Sequence, residues 1–121
     1  MKQSNNTILV TGGAGFIGSS VIEALLPGNK VVCLDDFNDY YSPAWKEENV
    51  KRFYNDKNFT LYKTDIRNFD ELAQIFKNHK LDKVVHLAAR AGVRPSIQQP
   101  LLYEEVNVKG TLNILELAKT N

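Results

Sequence analysis

Several features that mark specialised proteins are scarce or missing in this sequence of 121 residues. Its one cysteine, Cys33, cannot form a disulfide within the chain, and its place in an apolar run predicts a buried, unreactive thiol. No apolar run approaches the length of a membrane span, and the polar start MKQSNNT does not resemble a signal peptide. These absences predict a cytoplasmic protein that does not associate with membranes.

An excess of charge of one sign is also missing. Fifteen basic and 14 acidic residues leave a formal net charge of +1, without a basic stripe or an acidic tail. We therefore expect no nucleic-acid partner. No spacing of histidine, cysteine and carboxylate residues predicts a metal site. His86 ends an apolar run without a nucleophile beside it, which indicates a hydrogen-bonded core histidine, and His79 is expected at the surface.

The chain instead contains four short apolar runs that alternate with helical patterns. The runs lie at 8–10, 30–34, 59–63 and 82–87, and a last helix is expected from about Leu101 or Tyr103 onward. Four successive βα units require a parallel sheet with right-handed crossovers. The sequence therefore predicts an α/β, Rossmann-like domain over residues 1–121, with strand order 3-2-1-4 and no fifth strand.

The turn after the first strand carries the chemistry that the sequence shows most clearly. Gly12, Gly15 and Gly18 form G-x-x-G-x-x-G between an apolar run and a helical pattern, and Asp35 ends the second strand. Glycines there allow a tight turn, a close approach of backbone to pyrophosphate and close helix packing, while the acid meets the adenosine ribose. A Walker A phosphate loop is excluded because Ser19 stands where its lysine must be. The pattern predicts a dinucleotide site.

The residue after Asp35 indicates which dinucleotide is preferred. Asp36 adds a second negative charge, and no arginine or lysine follows it directly. A 2′-phosphate would be repelled there, so the sequence predicts NAD rather than NADP.

Two helical patterns predict how helices pack. The helix that begins at Ser42-Pro43 is expected to turn Trp45, Val50, Phe53 and Tyr54 toward the core. In the last helix, one apolar face contains Val108, Leu112 and Leu115, and Val106 and Leu117 point almost the opposite way. One face can cover the sheet, and the other needs a partner, either within a longer chain or from another subunit. We expect a homo-oligomer formed through this helix or through the edge of the fourth strand.

Five segments together carry a family resemblance. They are TGGAGFIG, DDFNDYY, TDIR, HLAARAGVR and NVKGTLNILELA. Over nearly its whole length the chain resembles the N-terminal half of extended short-chain dehydrogenases/reductases, and within them the nucleotide-sugar epimerases of the UDP-glucuronate 4-epimerase type. The glycines and the acid after strand 2 are shared by the whole superfamily, whereas DYY and AGVR are more specific to uronate epimerases.

The resemblance implies a set of cofactor and substrate residues. The NAD pyrophosphate would be held by Gly12, Gly15, Phe16, Ile17 and Gly18. The adenosine would be held by Asp35, Asn38, Lys46, Asp65 and Ile66. The path toward the nicotinamide ribose would be lined by Leu87, Ala88, Ala89 and Ala91. Asn107 matches an asparagine of the family's helix after strand 4, and Arg94 matches an arginine placed toward the UDP-sugar.

Two positions depart from the uronate epimerases. Arg90 stands where they often have glutamine, and Pro95 stands where they often have an aromatic residue. Both lie near the expected substrate entrance, so the resemblance leaves the sugar nucleotide open.

The family's catalytic pair, a tyrosine followed four residues later by a lysine, has no match in the sequence. The residues four positions after the five tyrosines are Ala44, Trp45, Asn58, Ile66 and Asn107. No catalytic residue is therefore predicted, and we expect the NAD-binding part of an epimerase, inactive without the remainder. Two alternatives stay open: part of another extended short-chain dehydratase or reductase, and a non-catalytic dinucleotide-binding module.

Overall fold

A computed structural model describes residues 5–39 and 42–121, so that Tyr40 and Tyr41 of the DYY motif lie outside the described residues. The strands are β1 (Thr7–Thr11), β2 (Lys30–Asp35), β3 (Phe59–Lys63) and β4 (Lys83–His86). They form one sheet in the order β3-β2-β1-β4, and every pairing is parallel. The predicted fold class and strand order are confirmed.

The helices cover both faces of this sheet. They are α1 (Phe16–Leu25), α2 (Pro43–Lys51), α3 (Phe69–Asn78), α4 (Val93–Gln98), α5 (Pro100–Glu104) and α6 (Gly110–Thr120), with a π-helical segment at Glu105–Lys109 between the last two. None of the helices in the described ranges is long and apolar enough to span a membrane.

The strand β2 shows why two layers of helices are needed. Val31 and Cys33 pack with α1 and α2 on one face, while Val32 and Leu34 pack with α3 and α6 on the other. Side chains alternate between the two faces of a strand, so a run of apolar residues at successive positions must be covered on both sides. The core therefore consists of one apolar cluster on each face of the sheet.

The packing of α2 differs from the prediction at two of four positions. Val50 and Phe53 are buried, but Trp45 and Tyr54 are exposed. The stripe that faces the sheet passes through Lys46, Val50 and Phe53, so Trp45 lies to one side of it. The Tyr54 hydroxyl donates to the Glu47 carboxylate at the surface, at 2.6 Å.

The C-terminal helical segments begin earlier than predicted and include a short helix, α4, that the sequence analysis did not predict. The two-faced pattern of the last helix is confirmed: Val106 and Leu117 are buried, whereas Val108, Leu112 and Leu115 are more than half exposed. Which molecule, if any, covers the exposed face stays a prediction.

Candidate functional site

The β1–α1 turn lies directly against the loop that follows β4. Gly12 has a φ of +70°, and a Cβ atom there would lie 2.8 Å from the backbone nitrogen of Ala88. A Cβ at Gly18 would collide with the carbonyl oxygen of Gly12. These two glycines are needed for the chain to pack on itself, whether or not a ligand binds.

The surroundings of Gly15 are more open than those of Gly12 and Gly18. Its φ of −73° suits any residue, and a Cβ there would have one neighbour within 4 Å, the Gly12 carbonyl oxygen at 3.3 Å. Gly15 also lines a cavity. No side chain caps the N-terminus of α1, and its first turn contains no acidic residue. The turn therefore presents open backbone and the positive end of a helix dipole to this cavity.

Asp35 is held rigidly at the end of β2. Its Oδ2 accepts the backbone N–H of Ala14 at 3.1 Å, and its Oδ1 accepts that of Phe37 at 2.8 Å. The Nζ of Lys46 lies 3.6 Å from Oδ1, and both side chains are buried. The bond to Ala14 ties the carboxylate to the glycine turn, so that both features face the same space.

Asp65, after β3, is held by a neighbouring arginine. The Arg67 guanidinium donates to both carboxylate oxygens, with Nη2 at 2.6 Å from Oδ2. Burial acts to raise the pKa of Asp65, but these hydrogen bonds and the charges of Arg67 and Arg90 outweigh it, and the pKa lies below its ordinary value. Asp65 is therefore an ionised acceptor at neutral pH.

His86 links β1, β4 and the last helix. The Thr11 hydroxyl oxygen accepts the backbone N–H groups of Leu87 and Ala88, at 3.0 and 3.1 Å, so its own hydrogen is directed to His86 Nδ1 at 2.6 Å. His86 Nε2–H then donates to the Thr111 hydroxyl at 3.0 Å. Burial lowers the pKa of His86, which favours this neutral form. The arrangement matches the predicted hydrogen-bonded histidine and explains how the loop after β4 begins.

The rest of that loop is held by the last helical segments. Asn107 Oδ1 accepts the backbone N–H of Arg90 at 2.7 Å, and Asn107 Nδ2 donates to the Arg90 carbonyl at 3.0 Å. The Tyr103 hydroxyl donates to the Ala91 carbonyl at 2.8 Å. Both side chains act on backbone, so they fix the path of the loop whatever side chains it carries.

A cavity of about 740 Å³ lies at the carboxyl ends of the four strands, where these features meet. The predicted cofactor residues that line it are Gly12, Gly15, Phe16, Ile17, Gly18, Asp35, Asn38, Lys46, Asp65, Ile66, Leu87, Ala88, Ala89 and Ala91. Asn107 and Arg94 are outside the lining. Asn107 supports the cavity through the backbone of Arg90, and Arg94 is exposed in α4.

Seven further residues line the cavity: Leu34, Asp36, Trp45, Asn49, Thr64, Arg90 and Val106. The sequence analysis had placed Asp36 near the cofactor ribose and Arg90 near the substrate entrance, and it missed the other five as site residues. Trp45 and Asn49 accompany Lys46 on α2, and the Asn49 side chain donates to the Ala14 carbonyl at 2.9 Å. Asn49 stands three residues after Lys46, and this helical spacing is the signal that would have found it, whereas Trp45 is the immediate neighbour of Lys46 and has no such signal.

The comparisons with known proteins agree with this geometry. Residues 9–121 match the family described as GDP-mannose 4,6 dehydratase. The chain belongs to this family. It is 46% identical over 112 residues to UDP-glucuronate 4-epimerase of Thermodesulfobacterium geofontis, covering 92% of this chain and 35% of that protein. The predicted resemblance to nucleotide-sugar epimerases is confirmed.

Solved structures of similar proteins share the fold. UDP-N-acetylglucosamine 4-epimerase from Methanobrevibacter ruminantium, in complex with UDP-N-acetylmuramic acid, is 35% identical with a TM-score of 0.84, over 98% of this chain and 36% of that one. Thermus thermophilus UDP-glucose 4-epimerase, in complex with NAD, is 37% identical with a TM-score of 0.79, over 94% of this chain and 34% of that one. The chain thus spans about a third of the length of each of these similar proteins.

Proposed function

We propose that this chain is the NAD-binding part of a nucleotide-sugar epimerase of the UDP-glucuronate 4-epimerase type. One observation carries the proposal: the open glycine turn and the fixed Asp35 carboxylate line the same cavity at the carboxyl ends of the strands. Open α/β sheets bind nucleotides in this crevice, where the strand order reverses. The solved complex of a 37% identical epimerase with NAD supports the choice of cofactor.

The residues present fit a dinucleotide. The pyrophosphate would lie against Gly15 and the first turn of α1, because Gly15 lines the cavity and has no side chain there. Asp35 has acceptor sites left for ribose hydroxyls, because a carboxylate has about four and the chain uses two for N–H groups and shares one with Lys46. Asn38, Asp65 and the residues after β4 would line the adenine and the path toward nicotinamide.

Bound NAD would supply the hydride acceptor and donor that epimerisation at C4 of a sugar requires. The residues of this chain bind and orient the cofactor, and none is assigned a catalytic role. The proposed substrate is a UDP-sugar approached by Arg94, and the 46% identical UDP-glucuronate 4-epimerase supports this choice. A cytoplasmic location and self-association, through the exposed face of the last helix or the edge strand β4, are part of the proposal.

A dehydratase is the second candidate, because the matching family is described as GDP-mannose 4,6 dehydratase. The two candidates share the cavity and differ in the chemistry of the remainder of the protein. Incubating the whole protein with UDP-glucuronate and with GDP-mannose separates them: inversion at C4 supports the epimerase, and loss of water supports the dehydratase.

Isothermal titration calorimetry of the chain with NAD and with ATP tests the proposed cofactor. We expect NAD to bind more tightly than ATP, and Gly15→Ala to weaken NAD binding by about tenfold or more without a change in the circular dichroism spectrum. Asp35→Asn should weaken NAD binding by a similar factor. This variant also leaves Lys46 buried without a charge partner, so Gly15→Ala provides the test in which the fold is kept.

Asp70→Asn is the matched control for Asp35→Asn. Asp70 lies exposed in the first turn of α3, outside the cavity lining. NAD affinity should be the same in this variant as in the unmodified chain. Equal weakening by both substitutions, or no binding of NAD at all, would contradict the proposed site.

A further inference from the structure

Arg90 bridges the two loops on either side of the glycine turn. It follows β4, and its Nη2 lies 4.0 Å from Oδ2 of Asp36, which follows β2. The strands β2 and β4 flank β1 in the sheet, and both residues line the cavity. The ion pair therefore reaches across the entrance that a ligand on the glycine turn would use.

One N–H group of the Arg90 guanidinium, that of Nε, lacks a hydrogen-bond acceptor among the described residues. This Nε atom is buried, and the side chain is 17% exposed. A guanidinium has five N–H donors, and the ion pair with Asp36 is long. Leaving donors of a charged group unsatisfied in a buried position is unfavourable, so an acceptor supplied from outside the chain would be bound there.

The position of Arg90 is nevertheless well defined. The Asn107 side chain is hydrogen-bonded to both the backbone N–H and the carbonyl of Arg90, and the Tyr103 hydroxyl donates to the carbonyl of Ala91. Among the described residues that line the cavity, the Lys46 ammonium lies 3.6 Å from the Asp35 carboxylate and Asp65 is paired with Arg67. Arg90 is the cation there whose buried Nε has no partner.

We propose that Arg90 recognises a phosphate group of the dinucleotide, and that Asp36 holds its guanidinium in place until the ligand binds. This inference rests on the proposed dinucleotide site and adds to it a residue that the glycine pattern does not contain. A planar guanidinium with several parallel N–H donors suits phosphate oxygens, to which charge-assisted hydrogen bonds are strong.

The phosphate has two sources. If Arg90→Gln weakens binding of both NAD and NADP, Arg90 contacts the pyrophosphate. If the substitution weakens binding of NADP alone, Arg90 contacts the 2′-phosphate. No cation follows Asp36 directly in the sequence, which predicted a preference for NAD over NADP. In the structure, however, the Arg90 guanidinium approaches Asp36 from the loop after β4. Cofactor preference therefore has to be measured with both ligands.

The test is an NMR titration of the full chain with NAD, NADP and adenosine, which detects binding into the millimolar range. The variants are Arg90→Gln and Arg90→Lys, with Lys119→Gln as a control that removes one positive charge from an exposed pair at the end of α6. Arg90→Gln should weaken binding of the phosphate-containing dinucleotide by about tenfold or more, and it should change the affinity for adenosine by no more than about twofold. Arg90→Lys should give an intermediate loss, since it keeps the charge without the planar donors. Lys119→Gln should bind all three ligands as the unmodified chain does.

A second readout separates recognition from a structural role. Arg90→Gln should unfold at nearly the same temperature as the unmodified chain, because it loses only a long ion pair with Asp36 and the charge near Asp65, while Nε has no partner in the free chain. A lower unfolding temperature together with an equal loss of affinity for adenosine and for NAD would overturn the inference. Unchanged affinity for both dinucleotides would overturn it as well. Failure of the unmodified chain to bind either dinucleotide would instead refute the proposed function itself, on which the inference rests.

Discussion

The glycine turn and the loop after β4 face each other across one cavity, but they are held in different ways. The turn owes its shape to residues without side chains, and Gly12 and Gly18 allow backbone to approach backbone. The loop owes its shape to side chains contributed from far along the chain, above all Asn107 and Tyr103. The part of the cavity lining that is formed by a local backbone turn can be predicted from a sequence motif. The part that is positioned by side chains from another segment of the chain cannot.

The strongest test of this difference is Gly12→Ala. The new Cβ would lie within 2.9 Å of the backbone of Leu87 and Ala88, at a φ of +70°. We expect the free energy of unfolding to fall by about 2–4 kcal/mol, because the strain and the contact act together. Urea denaturation measures this loss.

Gly15→Ala is the matched control, since it adds the same methyl group to the same turn at an unstrained φ. Its unfolding free energy should stay within about 1 kcal/mol of the unmodified chain. Equal destabilisation by the two alanines would mean that the turn does not pack on the loop as described.

Asn107→Ala tests the other wall of the cavity. It removes both hydrogen bonds to the Arg90 backbone, and we expect a loss of about 1–3 kcal/mol in the free energy of unfolding. Asn107→Asp keeps the acceptor for the Arg90 N–H but places a carboxylate oxygen against the Arg90 carbonyl oxygen, so its loss should be at least as large as that of Asn107→Ala. Urea denaturation of the two variants checks this, and unchanged stability in both would refute the assigned bonds.

The smallest effect concerns the ion pair between Asp65 and Arg67. The folded-state pKa of Asp65 lies below its ordinary value, so its ionised form stabilises the fold above the unfolded pKa, and this contribution is lost as the pH falls through the folded pKa. The stability difference between the unmodified chain and Arg67→Gln should therefore be present at neutral pH and disappear in acid. Thermal unfolding across that pH range measures it, and a difference that grows in acid would contradict the direction of the shift.

The sequence predicted the parallel sheet, its strand order and the glycine turn because these follow from local patterns. Apolar runs at successive positions predicted strands such as β2, which is covered on both faces. Trp45 was misplaced because the helical pattern of α2 lacks a strong apolar stripe, and the buried stripe includes the aliphatic stem of Lys46, whose ammonium group reaches Asp35.

The roles of Arg90 and Asn107 needed the structure. Asn107 was matched to a cofactor residue by resemblance, and the structure shows its side chain bonded to the loop that carries Arg90. The ion pair of Arg90 with Asp36 joins two loops that are separated along the chain by α2, β3, α3 and β4. Only the folded chain brings such residues together, so no local spacing indicates the contact.

The most direct test of the central claim is a ¹⁵N-resolved NMR titration of the chain with NAD. We expect the largest chemical-shift changes at the backbone N–H groups of Gly15, Phe16 and Ile17, and at the N–H of Ala14, which donates to Asp35. Residues of α6 such as Leu115, on the face exposed away from the core, should not shift. Shifts confined to other surfaces, with the glycine turn unchanged at saturating NAD, would contradict the account.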